Sequence, residues 1–533
     1  MLEVTFMADK IITFIRFATV APQGDVGTEP TPPIGLAYLA AMCNDIPNVK
    51  IKGIDASGRD LYKFFEIPKY KIRGNGLTAE EVIEVADPDT SVFGVTAMFS
   101  HEWPYIRDCV KLLKKSFPKS TIVVGGEHAS ALTEYSLRDC KEIDYISLGE
   151  GEETWREIAL KEDNNLKDLA GMAYLENDKF VKTAFRERVK HVDNIPWPDW
   201  DTFPIEPYLD NAMSFGPGSG RNMPIIASRG CPYECTFCSN PLMFGRRYFV
   251  RDIDDLIKQI KYYIKRYNIT GLQFYDLTAI LKKNWVLEFC DALVKNGINL
   301  QWSLPTGTRS EALDLEVLKS LAKAKLTYLV YAPESGHEET LKRIKKKIKI
   351  PAVEKSVKWA VSQGIVTRTN LIIGFPGETR LQLYRTLWQQ LRFIMMGVEE
   401  SSTFVFNAYP GTELFDELVK NGKIELNDDF FISLGWMSHY NVKPNYVSYN
   451  EKMGRYELYI YRMIGMLLTY TLPYLLRPKR ILRTIKSFFR EDSSTVAEQR
   501  LKDHLRRSTL FTKYLKPLIL RIFTSKDKNR IIN

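Results

Sequence analysis

Ser228-Arg-Gly-Cys-Pro-Tyr-Glu-Cys-Thr-Phe-Cys-Ser-Asn240 constrains this 533-residue chain more than any other stretch. It puts Cys231, Cys235 and Cys238 in a C-x3-C-x2-C spacing, with Gly230 before the first thiol and Pro232 after it. Three thiolates this close together can take three corners of a cubane [4Fe–4S] cluster, because such clusters are held by cysteine sulfur. No fourth cysteine is nearby, so the fourth iron stays open to another ligand. A zinc knuckle is the competing reading, but zinc sites close with four Cys or His ligands, and the nearest histidines are His191 and His337. A disulfide framework needs paired spacing and an oxidising compartment. The other cysteines, Cys43, Cys109, Cys140 and Cys290, are scattered as in a reducing, cytoplasmic protein, and the N-terminus carries no basic-then-apolar signal segment.

The cysteines sit at the end of a strand expected over residues 224–230. Further β-branched or aromatic runs at 271–275, 300–304, 328–332, 369–374 and 402–406 alternate with helical patterns at 253–267, 285–296, 314–324, 353–363 and 381–396. Six βα units predict a partial barrel, open on one side where a complete one has eight. Chemistry then belongs at the carboxyl ends of the strands.

The front of the chain alternates too. Strands are expected at 11–15, 49–54, 91–96 and 121–126, with helical patterns at 34–42, 103–117 and 133–139. That order predicts a parallel, doubly wound sheet whose ligand lies beyond the carboxyl ends of its strands. Thr96 closes one strand there, and Gly125-Gly126 closes another and admits a ligand to the backbone without Cβ interference. Residues 166–216 read as a linker, rich in Pro and Gly after a hairpin pairing 172–174 with 180–182.

The cysteine spacing resembles the signature of the radical S-adenosylmethionine (SAM) enzymes. The stretches Thr31-Pro-Pro-Ile-Gly-Leu-Ala-Tyr-Leu-Ala40, Val123-Val-Gly-Gly-Glu-His-Ala-Ser130 and Asp144-Tyr-Ile-Ser-Leu-Gly-Glu-Gly-Glu-Glu-Thr154 resemble the front of their cobalamin-binding branch. The resemblance implies an α/β chain with four parts. A Rossmann-like cobalamin-binding domain would span 10–165 and a linker 166–216. A partial (β/α)6 radical SAM core would span 217–440 and a basic, amphipathic helical region 441–533. It implies that Cys231, Cys235 and Cys238 ligate the cluster, whose open iron takes the amino and carboxylate groups of SAM. Phe237 would lie beside the adenine. Tyr275 and Asp276 would meet the SAM amino group, Arg309 its carboxylate, Glu334 and Ser335 the ribose and methionine, and Gly374 the adenine. Thr96, Gly125, Gly126 and Glu150 would line the cobalamin site. Asp55-Ala-Ser-Gly-Arg-Asp60 departs from the Asp-x-His-x-x-Gly of many cobalamin domains, so no histidine is offered to cobalt from below. His101 and His128 read as structural residues.

Residues 441–533 hold 20 Lys/Arg against 7 Asp/Glu, a charge of +13 out of a net +9, so residues 1–440 carry −4. The basic excess therefore marks the tail, and nucleic acid is not an expected partner. Within the tail, residues 463–476 are uncharged, too short to span a bilayer. Together with 514–523 and the neighbouring Lys/Arg they fit either a helical cap over the barrel mouth or weak peripheral contact with an anionic membrane.

The family implies a methyltransferase acting on an unactivated carbon, through a 5′-deoxyadenosyl radical and methylcobalamin, on a small-molecule substrate of hydrophobic or lipid-like character. An electron donor such as flavodoxin or ferredoxin would reduce the cluster. Ring closure, carbon–carbon coupling or rearrangement is the alternative outcome, and a cofactor-binding sensor or scaffold is a reading of another class. Methylthio transfer would need a second cysteine set, which the scattered four do not form.

Overall fold

The computed structural model describes residues 10–23, 30–189, 191–218, 220–309, 313–436, 447–487 and 493–507, and it places two sheets in series. The first contains β1 (Lys10–Arg16), β2 (Val49–Asp55), β3 (Val92–Thr96), β4 (Thr121–Gly125), β5 (Tyr145–Ser147), β6 (Met172–Glu176) and β7 (Lys179–Lys182). Its spatial order is β7-β6-β5-β4-β3-β1-β2. Strands β1 to β5 are parallel, in the 2-1-3-4-5 order of an open doubly wound sheet. β6 and β7 form the expected hairpin, but the hairpin pairs antiparallel with β5 and extends the sheet instead of standing apart from it.

Helices cover both faces, which is why the Ile/Val runs of β1, β3 and β4 are buried almost throughout. α1 (Ile34–Cys43) and α3 (Glu152–Leu160) pack on one face, where Trp155 meets Phe14 edge-on at 4.6 Å between ring centroids. α2 (Trp103–Ser116) packs on the other against Phe93 and Val95. A small antiparallel sheet of Thr19–Pro22, Ile72–Asn75 and Phe64–Ile67 stands beyond the end of β1 and was not expected from the sequence.

The second sheet runs β8 (Asn222–Ile225), β9 (Gly271–Phe274), β10 (Gln301–Thr308), β11 (Leu326–Glu334), β12 (Val366–Ile373) and β13 (Glu400–Val405). Spatial order equals chain order and every pairing is parallel, as a six-unit partial barrel requires. Its outer layer is α4 (Ile253–Tyr267), α5 (Lys283–Lys295), α6 (Leu315–Lys323), α7 (Ile350–Ser362) and α8 (Arg380–Met396). The helix starts are written locally. The Asp252 side chain accepts from the Asp255 amide at the N-cap of α4, and Thr379 with Gln382 forms a reciprocal capping box on α8. Phe274, Phe289 and Trp302 knit β9, α5 and β10 together. Truncating a ring as buried as Phe289 costs about 3–5 kcal/mol.

After a short helix at Glu413–Lys420 come α9 (Asp428–Gly435), α10 (Arg455–Leu476), α11 (Lys479–Ser487) and α12 (Val496–Arg507). The expected cap over the barrel mouth is not where α10 goes. It lies along the β13 edge and against α8, because Thr469 bonds the Ser401 carbonyl while Gln390 bonds the Gly465 carbonyl. The apolar run 463–476 is the second half of this 22-residue helix. Among the described residues no helix is long and apolar enough to cross a membrane. Residues 514–523 lie outside the described residues.

Candidate functional site

The sequence reading carried the strand before the cysteines through residue 230, but β8 stops at Ile225. The reason is Asp276, just beyond β9. Its carboxylate accepts the Ala227 amide at 3.1 Å on both oxygens and the Ser228 hydroxyl at 2.5 Å, which pulls the chain out of the sheet. Ser228 and Arg229 then pair antiparallel with Val250 and Phe249. Gly230 follows at φ +85°, where an added Cβ would lie 2.1 Å from the Arg247 carbonyl oxygen, so only glycine lets the loop start. Asp276 is buried, and burial, outweighing the Ser228 hydroxyl and the backbone amides, raises its carboxyl to about 6.

The cysteine loop is tied at its middle as well. The Thr236 amide donates to the Ile344 carbonyl at 3.1 Å and its carbonyl accepts from Leu414 at 3.0 Å. Cys231 and Cys235 are half-buried and Cys238 is exposed. The surrounding protein raises the Cys235 thiol, against the pull of Lys346 and Arg309, and raises Cys238 to about 11. Lys346 is buried and forms a 2.9 Å ion pair with Glu334, which sits at φ +65° at the end of β11. Burial works against the Lys346 ammonium, but Glu334 and Cys235 hold it charged. The Arg309 guanidinium stacks over Tyr233 at 3.6 Å and donates to the Lys347 carbonyl. Two cations therefore flank the thiols, which suits a ligand set of three thiolates.

The remaining expected SAM residues divide. Phe237 packs on Phe375 at 5.8 Å, and the Tyr275 hydroxyl accepts from the Phe215 amide. Ser335 is fully buried in a hydroxyl pair with Thr386 and accepts from the His337 amide. Gly374 turns at φ +81° with its open side 2.7 Å from Leu458 of α10. Ser335 and Gly374 thus shape the strand ends. Two polar groups that the sequence reading did not single out are buried beside the loop without a hydrogen-bond partner: the Asn240 amide and the Thr278 hydroxyl. A polar molecule resting on the strand ends would satisfy them.

Among the described residues no three His, Cys, Asp or Glu side chains converge on a single-ion site. One tetrahedral ion would draw thiolates to about 4 Å of one another, given metal–sulfur bonds near 2.3 Å. A cubane takes one thiolate at each of three irons and asks for a wider triangle.

In the first sheet Thr96, Gly125 and Ser147 stand in register at the carboxyl ends of β3, β4 and β5. A Cβ on Gly125 would meet nothing nearer than Ser147 at 3.7 Å, so the cradle is open there. Ser147, which the sequence reading passed over, is buried with an unpartnered hydroxyl. Gly126, at φ +110°, would clash with the Ala97 carbonyl oxygen at 2.7 Å and is fixed by the turn. His128 is buried, with Ser100 and Ser136 on its two ring nitrogens and Trp103 stacked at 4.7 Å; burial lowers it to about 3. Asp55 is committed to Arg16 and the Tyr208 hydroxyl.

The two sets of strand ends are joined. Glu150 pairs with Arg188 at 3.0 Å and with Arg229 at 3.2 Å, and Glu152 pairs with Arg229 at 2.5 Å. Ser239 bonds Glu127. Glu150 thus ties the first sheet's loop to the residue two before Cys231.

Residues 25–159 match the family described as B12 binding domain, and residues 225–387 match the Radical SAM superfamily. An uncharacterized methyltransferase of Pyrococcus horikoshii is 28% identical over 437 residues, covering 82% of this chain and 87% of that protein. The anaerobic magnesium-protoporphyrin IX monomethyl ester cyclase of Cereibacter sphaeroides is 26% identical, over 58% of this chain and 50% of that protein. The solved structure of the cobalamin-dependent S-adenosylmethionine radical enzyme OxsB, with aqua-cobalamin and S-adenosylmethionine bound, superposes with a TM-score of 0.63 at 15% identity. That match covers 98% of this chain and 82% of the other.

Proposed function

This chain belongs to the radical SAM superfamily, with a B12 binding domain ahead of the barrel, and we propose that it is a methyltransferase acting on an unactivated carbon of a small, hydrophobic substrate. The observation that carries the reading is the lock between the two strand-end sites: Arg229 between Glu150 and Glu152, and Ser239 on Glu127. It joins the loops at the carboxyl ends of the first sheet to the cysteine loop, which supports group transfer between two cofactors.

Cys231, Cys235 and Cys238 would hold a [4Fe–4S] cluster. Tyr275, Thr278, Asn240, Arg309 and Glu334 would border SAM, and Thr96, Gly125, Gly126 and Ser147 would receive cobalamin. When bound, these groups supply the radical and methyl chemistry, and the protein supplies placement and exclusion of water. Asp276 fixes the bend that aims the cysteine loop. Lys346 and Arg309 put positive charge beside three thiolates. The likeness to the cyclase favours a second outcome, ring closure with no gain of a methyl group.

The test is protein reconstituted without oxygen, given reductant, methyl-labelled SAM and a lipid extract as substrate source. The expected result is 5′-deoxyadenosine together with label in a product heavier by one CH2. Release of 5′-deoxyadenosine with no labelled product would overturn methyl transfer, and no SAM cleavage at all would overturn the enzyme. A flavodoxin- or ferredoxin-type donor would serve as the reductant in the cell.

The outer face of α10 favours peripheral membrane contact as well. Tyr456, Ile460, Met463, Ile464 and Leu467 are exposed at helical spacing, and α11 continues the surface with Ile481, Leu482 and Ile485 beside Lys479 and Lys486. An apolar face with basic flanks fits an anionic bilayer surface. The protein should sediment with phosphatidylserine vesicles at low salt and less with Ile460→Glu/Leu467→Glu; failure of the wild type to sediment would rule it out.

A further inference from the structure

Lys342-Arg-Ile-Lys-Lys-Lys-Ile-Lys349 holds six cations in eight positions and no acid, in a chain whose first 440 residues carry a net −4. It runs from the short helix Glu338–Arg343 to the start of α7, in the connection that follows β11. A run of like charge is ordinarily a solvated tail or face, but this one is folded into a tight turn. The Lys345 amide donates to the Lys342 carbonyl at 3.1 Å, the Lys346 amide to the Leu341 carbonyl at 2.9 Å and the Ile348 amide to the Lys346 carbonyl at 2.6 Å. Ile344 is buried in the core, Ile348 packs against it and Lys346 turns inward to Glu334. Lys342, Arg343, Lys345, Lys347 and Lys349 are left exposed on the outer side.

Two of those five cations stand where local rules disfavour lysine. Lys345 adopts φ +53°, the left-handed region that glycine or asparagine enters at less cost. Lys349 is the N-cap residue of α7 and makes no capping bond. A cation there opposes the positive end of the helix, where Ser, Thr, Asp or Asn would stabilise it by about 1 kcal/mol. Lys342 and Arg343 do suit the carboxyl end of their own helix, so their place has a structural reason. The acids that meet the run are Glu334 on Lys346, Glu413 on Lys345 at 2.6 Å and the buried Glu378 near Arg343. With these three set against them, the six cations keep an excess of three positive charges. Glu338 and Glu339 stand at the far end of the short helix, and Glu339 accepts from Gln382.

The inner side of the same turn backs the cysteine loop. Thr236, the residue after Cys235, donates its amide to the Ile344 carbonyl at 3.1 Å. The charge of Lys346 reaches both Cys235 and Cys238. Lys345, one residue beyond Ile344, is already at the surface. At about 3.8 Å per residue, a path from Cys235 through that hydrogen bond comes out of the protein in roughly 10–15 Å. Electron transfer weakens with distance, so a donor protein works best seated where the wall over the thiols is a single turn. An acidic donor on these five cations would be seated there, with the Ile344 peptide between it and the cysteine loop.

We propose that the outer face of residues 342–349 is the docking surface for an acidic one-electron carrier protein of the flavodoxin type. This deepens the functional reading above and rests on its cluster. In the docked pair the donor is oxidised by one electron, and the cluster held by Cys231, Cys235 and Cys238 is reduced by one. No covalent bond forms or breaks and no proton need move. Complementary charge of this kind speeds encounter and makes it depend on salt.

The test is stopped-flow mixing, without oxygen, of the reconstituted full-length protein with excess reduced flavodoxin, read as the loss of visible cluster absorbance. Lys342→Glu/Lys347→Glu/Lys349→Glu should slow reduction about ten-fold or more. All three side chains are exposed, and Glu at the N-cap of α7 does not oppose the helix, so the variant should melt like wild type. Raising salt from about 0.01 to about 0.1 M, which shortens the screening length from about 30 to about 10 Å, should slow the wild type several-fold and the variant little. Photoreduced 5-deazariboflavin, a small donor that needs no docking, should reduce both proteins alike. Lys479→Glu/Lys486→Glu, on α11, should leave the flavodoxin rate unchanged. Reduction of the triple variant by flavodoxin at the wild-type rate, or a wild-type rate indifferent to salt, would overturn the docking surface. So would an equal slowing by the α11 variant, which would make the effect one of net charge. Methyl transfer does not enter the readout. Salt-dependent reduction through this face with no SAM cleavage would sink the functional reading alone, and a triple variant that flavodoxin reduces normally would sink this inference alone.

Discussion

Asp276 carries more structural weight than its place after β9 advertises. Both carboxylate oxygens accept the Ala227 amide and one accepts the Ser228 hydroxyl, so the carboxylate that was expected to meet an ammonium is spent on aiming the cysteine loop. Asp276→Ala leaves those buried donors unsatisfied and should destabilise by about 1–3 kcal/mol, read from urea unfolding, with a matching loss of bound iron. Its pH behaviour has a defined sign. Burial raises the folded carboxyl to about 6 from an ordinary 3.8, so its contribution is fully present below about pH 4 and is lost as pH rises through 6. Asp276→Asn should remove that loss, and the gap between variant and wild-type urea midpoints should widen in the variant's favour from pH 4 to pH 6.5. At this scale the sequence announces the cysteines by spacing alone. It is silent on Asn240, Thr278, Ser147 and Lys346, because a lone polar residue shows its purpose only once its neighbours leave it unsatisfied or charged.

The strand ends of the first sheet separate two adjacent glycines that look alike in sequence. Gly125 has open space where a Cβ would stand, and Gly126 has the Ala97 carbonyl oxygen at 2.7 Å and a positive φ. Gly125→Val should melt like wild type while retaining at least ten-fold less cobalamin, measured by absorbance after gel filtration. Gly126→Ala should lower the melting temperature, because φ +110° with ψ near 180° suits glycine and costs another residue about 1–3 kcal/mol. The elements themselves were legible wherever apolar period and length agreed. β1, β3, β4 and five of the barrel strands announce themselves as β-branched or aromatic runs, whereas β8 covers Asn222–Ile225 against an expected 224–230, and α4 and α8 carry their caps in sequence. The sheet of Thr19–Pro22, Phe64–Ile67 and Ile72–Asn75 did not, since four-residue strands such as Ile72-Arg-Gly-Asn75 have no period to read. The placement of β6 and β7 on the sheet edge, and of α10 beside β13 instead of over the mouth, depends on tertiary contacts such as Thr469 with Ser401.

Across the whole molecule, both apolar cores run through from the first sheet to the second, and polar clasps join the two sets of strand ends. Arg229 is 9% exposed and shares its guanidinium between Glu150 and Glu152. Burial raises the Glu152 carboxyl, but Arg229 brings it below the ordinary range, so the pair is ionised at neutral pH. A second clasp lies farther out, where Arg107 bonds Asp139 of the first domain and Asp428 of α9 at 2.8–2.9 Å. If the inner clasp only stabilises the fold, Glu152→Gln should lower stability by about 1–3 kcal/mol and slow every reaction alike. If it sets the distance between the sites, the variant should retain cobalamin and iron and still release 5′-deoxyadenosine. Label transfer from SAM to product should then fall ten-fold or more, because small misplacement of reacting groups costs rate steeply. Parallel loss of cleavage and transfer would reduce Arg229 to a structural tie. Selective loss of transfer would make the junction part of the chemistry, since a group passed between two cofactors is only as fast as the frame that faces them.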